Sequence, residues 1–146
     1  MNIRIAELAD IREMFSVRMS VKENVLNNTA LVTDEICEDY ITRRGRGWVC
    51  EVDGKIVAFA IADLRGNSIW ALFVRPEYEG KGIGRRLHDT MLNWYFGQTN
   101  VPLWLTTAPG TRAENFYTKA GWNNAGLENG EVKFELSKDG WTSSII

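Results

Sequence analysis

Three glycines stand at alternate positions in the run Glu79-Gly80-Lys81-Gly82-Ile83-Gly84, between an apolar segment and a stretch of helical periodicity. Glycines so placed let the backbone approach a ligand closely. Free N–H groups at the start of the helix would carry part of its macrodipole, and Lys81, Arg85 and Arg86 add positive charge beside them. The chemistry on offer is capture of a phosphate or pyrophosphate, with an unliganded tight turn as the competing reading. A dinucleotide fingerprint does not fit: Gly-x-Gly-x-x-Gly needs glycine where Arg85 stands, and the next strand closes on Thr106 and Thr107 rather than an acid. The Gly-x-x-x-x-Gly-Lys-Ser/Thr phosphate loop is also absent.

The remaining reactive side chains offer less. His88, the only histidine, adjoins Leu87 and aligns with Met91, Leu92 and Tyr95, so a structural role is expected. Cys37 and Cys50 lack metal-ligand spacing and are expected to be packed; no metal site is predicted.

The elements that must position the glycine loop are set by periodicity. A strand is expected at 2–5, then a helix with Leu8, Ile11, Phe15 and Met19 on its buried stripe, then a polar connection over 20–28. Thr33 is placed to cap a second helix, with Ile36, Tyr40 and Ile41 on one face and Gly45 and Gly47 breaking it. Strands 48–52 and 55–63 flank the hairpin turn Asp53-Gly54, and a strand at 68–74 stops before Pro76. The loop then opens a helix with core positions Ile83, Leu87, Met91 and either Trp94 or Tyr95. A strand follows at 103–107. Thr111-Arg112-Ala113-Glu114 fits a capping box for a helix ending at Gly121, and Asn129-Gly130 joins strands 123–128 and 131–137.

Bulk properties bound the answer. At 146 residues, 45% hydrophobic and 25% charged, the chain has the size of one ordinary domain, 1–146, with no repeat or linker. A net charge of −2 gives no global attraction to nucleic acid, and any anion site must be local. The longest apolar run, 56–62, is far short of the roughly 20 residues of a membrane span. An acid, Glu7, precedes any apolar stretch that would serve as a secretory signal, so a cytoplasmic location is expected without a membrane partner.

Two segments carry a resemblance. The run V-R-P-E-Y-E-G-K-G-I-G-R-R-L at 74–87 resembles the acyl-CoA-binding signature of the GNAT N-acetyltransferase superfamily, in which Gln/Arg-x-x-Gly-x-Gly/Ala holds the coenzyme's pyrophosphate. Glu79, Gly82 and Gly84 occupy those places. A-E-N-F-Y-T-K-A-G-W at 113–122 is similar to the family's Ala-x-x-Phe-Tyr-x-Lys-x-Gly-Phe/Trp block at the same distance downstream. The element order also matches that fold. The resemblance implies a mixed α+β fold: a central, mostly antiparallel twisted sheet whose fourth and fifth strands are parallel and splayed, flanked by four helices.

It implies, further, an acetyl-CoA-dependent N-acetyltransferase that transfers directly to an amine, with a noncatalytic acyl-CoA-binding sensor or interaction module as the alternative. The pantetheine arm would lie between the splayed strands along Leu72, Phe73 and Val74, the backbone N–H of Leu72 acting as oxyanion donor. The remaining coenzyme contacts implied are Glu79, Gly80, Lys81, Gly82, Ile83, Gly84, Arg85, Thr111, Phe116 and Lys119. Tyr117 would protonate the departing thiolate, since a phenol stays protonated at neutral pH.

Two departures matter. Glu79 replaces the family's Gln or Arg, leaving only its backbone to help the phosphates, and Gly110 replaces an Asn, so that contact is lost or passes to Thr111 or Arg112. Residues 68–72 carry no carboxylate for a base. Glu23 is the candidate, with water-mediated deprotonation as its rival. The acceptor, a small-molecule or peptide amine, would lie in a groove lined by 20–32 and 124–132 and edged by Trp48 and Trp122. Trp70, Trp94 and Trp104 are expected in the core. The stretch 141–146, expected to be exposed, is available to pack on a second copy of the chain as a homodimer.

Overall fold

The computed structural model describes residues 1–25 and 32–144. Strands β1 (Asn2–Ile5), β2 (Gly45–Val52), β3 (Lys55–Asp63), β4 (Ser68–Val74), β5 (Leu103–Thr107), β6 (Asn123–Glu128) and β7 (Glu131–Leu136) form one sheet in the order β1-β2-β3-β4-β5-β7-β6. Every neighbouring pair is antiparallel except β4 and β5. The helices are α1 (Ile11–Ser20), α2 (Asp34–Asp39), α3 (Ile83–Gln98), α4 (Arg112–Lys119) and α5 (Lys138–Ser144). The α+β arrangement is the expected one, with α5 added to the four expected helices.

Both two-residue turns form as their sequences dictate. Asp53-Gly54 and Asn129-Gly130 take left-handed φ at both positions, 51° and 77° in the first and 53° and 81° in the second, which matches the twist of the flanking strands. β3 is buried along nearly its whole length, and its side chains divide the core. Ala58, Ala60 and Ala62 lie under Leu87, Met91 and Tyr95 of α3, while Phe59 and Ile61 pack with Met14 and Val17 of α1 and Ile41. The small residues leave room for the larger side chains of α3. The sheet therefore carries α1 and α2 on one face and α3, α4 and the end of the chain on the other.

Several details depart from the sequence reading. The buried stripe of α1 is Ile11, Met14 and Val17, whereas Leu8 is 54% and Met19 44% exposed. Residues Leu8–Asp10 wind as a 3-10 turn, with fewer residues per turn, before the α-helix begins, and this rotates the register. Thr33 caps α2 by accepting from the Ile36 N–H at 3.2 Å, but the buried positions are Cys37 and Ile41, with Ile36 at the rim. The helix runs on as a π-helical segment, Tyr40–Arg44, and the strand starts at Gly45 rather than Trp48. A Cβ on Gly45 would overlap the Ala62 carbonyl, so this glycine serves strand pairing as much as helix termination.

The tail differs most. Trp141 is only 3% exposed: α5 folds it back onto His88, and its indole N–H donates to Asn93 Oδ1 at 3.2 Å. The expected exposed dimer stretch is thus core at its start, and residues 145 and 146 lie outside the described residues. No helix among the described residues is long and apolar enough to cross a membrane.

Candidate functional site

Parallel strands β4 and β5 pair at a single position, Ser68 with Trp104, and then diverge. Beyond that point one edge of β4 has no strand beside it among the described residues. The direction of its backbone follows from its pairing with β3. The Arg75 N–H donates to Val57 O at 2.8 Å, and hydrogen-bonded pairs alternate in an antiparallel ladder. Phe73 and Ala71 therefore turn their N–H groups toward β3, and Leu72 and Val74 turn theirs into the gap. The gap is a ready row of donors for an extended ligand.

At one end of this gap lies the start of α3. Gly80 and Gly82 adopt φ of 75° and 83°, values that require glycine for a strain-free loop, and Gly82 caps the helix with no side chain. The first N–H to find an intrahelical acceptor is that of Arg86, to Gly82 O at 3.1 Å, so those of Ile83, Gly84 and Arg85 stay available at the positive end of the dipole. Apart from its chain neighbours, no atom of the described residues lies within 4 Å of a Cβ built on Gly82, whereas one on Gly84 would meet Val74 Cγ2 at 3.7 Å and Phe116 Cε2 at 3.8 Å. The loop at Gly82 faces open space; Gly84 faces packed side chains.

Together these elements enclose a cleft of about 950 Å³. β4 contributes Leu72, Phe73 and Val74; the loop and α3 contribute Glu79, Gly80, Gly82, Ile83, Gly84 and Arg85; α4 contributes Phe116, Tyr117 and Lys119. Glu23 borders the same cleft. Lys81 and Thr111 are not in its lining. The Lys81 ammonium lies 5.6 Å over the Tyr78 ring, and the Thr111 hydroxyl is consumed at the start of α4, donating to Ala108 O at 2.8 Å and accepting from the Glu114 N–H at 3.3 Å. The expected capping box is half formed: the Glu114 carboxylate accepts from the Gly110 N–H at 2.8 Å and not from that of Thr111. Arg112, one residue on, does line the cleft.

Tyr117 is 6% exposed, and its hydroxyl makes no hydrogen bond among the described residues. Burial pushes its phenol well above the usual tyrosine range, because the phenolate would lose its hydration. The phenol on the cleft wall therefore stays protonated at neutral pH, and the same burial makes it a weaker acid until charge develops beside it.

The α1–α2 connection is pinned to the start of α4. Glu23 Oε1 accepts from the Arg112 N–H at 3.1 Å, and Asn24 joins Thr107 Oγ1 at 3.1 Å and the Ala108 N–H at 3.0 Å. Asn24 takes φ of 54°, a conformation asparagine tolerates better than most residues. The sequence reading had no role for Asn24; its only signal was an Asn in a polar connection, the residue type of left-handed turns. Of the expected groove segments, residues 26–31 lie outside the described residues, and 124–132 contribute nothing to this cleft.

The aromatic expectations need correction. Trp48 and Trp122 are 4% and 5% exposed and belong to the core, not to a groove edge. Trp122 donates to His88 Nε2 at 3.0 Å, while the opposite ring nitrogen of His88 meets Asp89 Oδ1 at 2.8 Å, so His88 is a fully buried structural residue. Trp104, expected inside, is 37% exposed, its indole N–H bonded to Gly66 O at 2.9 Å and Lys133 over its ring. It projects from the opposite face of β5 to Leu103 and Leu105, where alternation sends every second side chain outward.

Comparison with known proteins follows the same lines. The model of the acetyltransferase (GNAT) family matches residues 8–122. Among solved structures, the chain is similar to the PaiA N-acetyltransferase from Thermoplasma acidophilum in complex with coenzyme A, at 16% identity and a TM-score of 0.82, covering 94% of this chain and 99% of that one. It is also similar to the ribosomal-protein-S18-alanine N-acetyltransferase from Escherichia coli, at 18% identity and a TM-score of 0.75, covering 93% and 92%. PH1933 from Pyrococcus horikoshii OT3 aligns at 23% identity and a TM-score of 0.70, covering 94% and 99%. At these identities the likeness is one of fold. No curated protein matches the chain by sequence.

Proposed function

The chain belongs to the GNAT acetyltransferase family, and from that membership we propose that it moves an acetyl group from acetyl-CoA directly to the amine of an acceptor. The observation that carries the reading is the meeting of two donor sets in one cleft: the N–H groups of Leu72 and Val74 along β4, and those of Ile83, Gly84 and Arg85 at the start of α3. The first suits an extended amide-bearing arm, the second a pyrophosphate. An open loop at Gly82 fits the same group, since phosphate oxygens can approach the backbone where a side chain would stand.

When bound, acetyl-CoA supplies an activated acyl group as its thioester. The residues' parts follow from their positions. The Leu72 N–H would hold the carbonyl oxygen as it gains negative charge while the amine nitrogen forms its bond to the carbonyl carbon. As the carbon–sulfur bond breaks, the Tyr117 hydroxyl would give its proton to sulfur, and the phenolate left behind would take a proton back from solvent entering the cleft. Phe116 and Phe73 wall the cleft against water, and Lys119, with Arg85, adds positive charge to it. The amine's surplus proton would leave to water or to Glu23, the only carboxylate of the cleft among the described residues besides Glu79, which is paired with Arg112.

Neither buried cysteine lies in the cleft, so a direct transfer needs no covalent enzyme intermediate. The absence of a carboxylate on β4 favours a second reading, an acyl-CoA sensor that binds without turnover. Titrating acetyl-CoA and then following thiol release with a panel of amines separates the two. Amine-dependent release supports the transferase; tight binding with no release from any amine supports the sensor.

A further inference from the structure

A second cavity, of about 210 Å³, lies between α1, α2 and the sheet, against the side chains of Phe59, Trp70, Ala71 and Phe73. Phe73 borders both this cavity and the donor cleft. Ile11, Met14 and Phe15 close it from α1, and Cys37 faces it from α2, its thiol pushed up to about 11 by burial and so neutral. An apolar protein cavity of about 150 Å³ accommodates a benzene ring. This one therefore has room for a phenyl or large aliphatic side chain with a few atoms more, and not for a nucleotide.

One charged group enters this apolar space. The Arg18 guanidinium lies 4.1 Å over the Phe73 ring, Arg18 lines the cavity, and its Nη1 is buried with no hydrogen-bond partner among the described residues. Stacking satisfies the face of a guanidinium and leaves its N–H edge unpaired. Arg18 as a whole is half-buried and forms no ion pair among the described residues, so a carboxylate entering the cavity would give the guanidinium a charge-assisted partner. The other charge at the cavity, Asp34, is exposed at its rim and forms no ion pair with Arg18 among the described residues.

We propose that this cavity is the acceptor pocket and that it takes an amino acid with an apolar side chain, the side chain among the aromatic residues, the carboxylate on Arg18, and the amine directed past Phe73 to the donor cleft. The inference rests on the acyl-transfer reading above for the fate of the amine, but not for the recognition of an apolar carboxylate.

Three probes test it: 3-phenylpropanoate, which has ring and carboxylate but no amine; phenethylamine, which has ring and amine but no carboxylate; and L-phenylalanine, which has all three. With the protein saturated in coenzyme A, calorimetry should show 3-phenylpropanoate binding at least about tenfold tighter than phenethylamine, the range a charge-assisted hydrogen bond supports. Arg18→Met should abolish that preference and Arg18→Lys should keep part of it, with coenzyme A affinity unchanged in both as the check on folding. With acetyl-CoA, L-phenylalanine should release thiol faster than phenethylamine. Equal binding of the two analogues, binding indifferent to Arg18, or acetyl-CoA turnover on other amines with no 3-phenylpropanoate binding would each overturn the pocket. Arg18-dependent binding of 3-phenylpropanoate with no thiol release from any amine would instead count against the transferase reading.

Discussion

Arg112 Nε lies 3.2 Å from Glu79 Oε2, joining the first residue of α4 to the glycine loop on opposite sides of the cleft. The pair places a carboxylate, neutralised by its partner, where a pyrophosphate would sit. Replacing Glu79 with Gln should tighten coenzyme A binding by roughly two- to tenfold, because it removes a like charge and frees Arg112 for phosphate. Arg112→Ala should weaken it by a similar factor. With Arg112 67% exposed, neither change should move folding stability by more than about 0.5 kcal/mol. Calorimetric titration at two salt concentrations, beside thermal melts, checks both; weaker binding in Glu79→Gln would contradict the charge argument.

Tyr117→Phe keeps the ring that packs with Trp122 and Phe134 and deletes only the hydroxyl. Turnover should fall by about 10²-fold or more while acetyl-CoA affinity stays nearly constant, the pattern of a lost general acid. Burial raises the Tyr117 phenol, so it stays protonated through the ordinary assay range. Any alkaline loss of activity below pH 9 therefore belongs to another group and should keep its midpoint in the residual activity of Tyr117→Phe. Undiminished turnover in Tyr117→Phe removes the residue from the mechanism.

His88 should make the fold sensitive to acid. Its Nε2 accepts from Trp122 and so cannot be protonated without setting two N–H groups against each other, and burial lowers its affinity for the proton despite the neighbouring Asp89. The sign follows: above the ordinary histidine range both folded and unfolded chains are neutral here, and below it only the unfolded chain takes the proton. Stability should fall as pH drops below about 6.5, with a slope of at most about 1.4 kcal/mol per pH unit. Urea midpoints between pH 7.5 and 5.5 measure it. The slope should flatten in His88→Gln; an identical slope in the variant would assign the effect elsewhere.

The parts of this molecule that were legible in the sequence are those governed by local rules. Asp53-Gly54 and Asn129-Gly130 turn as such dipeptides must, Thr33 and Thr111 cap helices, and Ile83, Leu87, Met91 and Tyr95 recur at helical spacing over a sheet. The glycine loop was visible for the same reason. What escaped depends on contacts far along the chain. Asn24 meets Ala108, and Trp122 meets His88, through side chains whose partners no periodicity announces. Arg18 read as one more charge on a helix, because its burial is created by Phe73 of β4. The short α5 carries Gly140 within it, weakening its helical signature, and Trp141 is held there by the core rather than by propensity.

The donor cleft is tested most directly by titrating acetyl-CoA into the wild-type chain, Gly82→Val and Gly84→Ala. Gly82 sits at φ 83° facing open space, so a valine there is strained and projects where the phosphates would lie; at Gly84 a methyl group makes only ordinary contacts with Val74 and Phe116. The wild type should bind one equivalent, Gly84→Ala should bind within a few-fold of it, and Gly82→Val should bind at least about 10²-fold more weakly while remaining folded, as expected when a phosphate's backbone donors are obstructed. A wild-type chain that gives no heat with acetyl-CoA, or a folded Gly82→Val that binds it normally, would contradict the account.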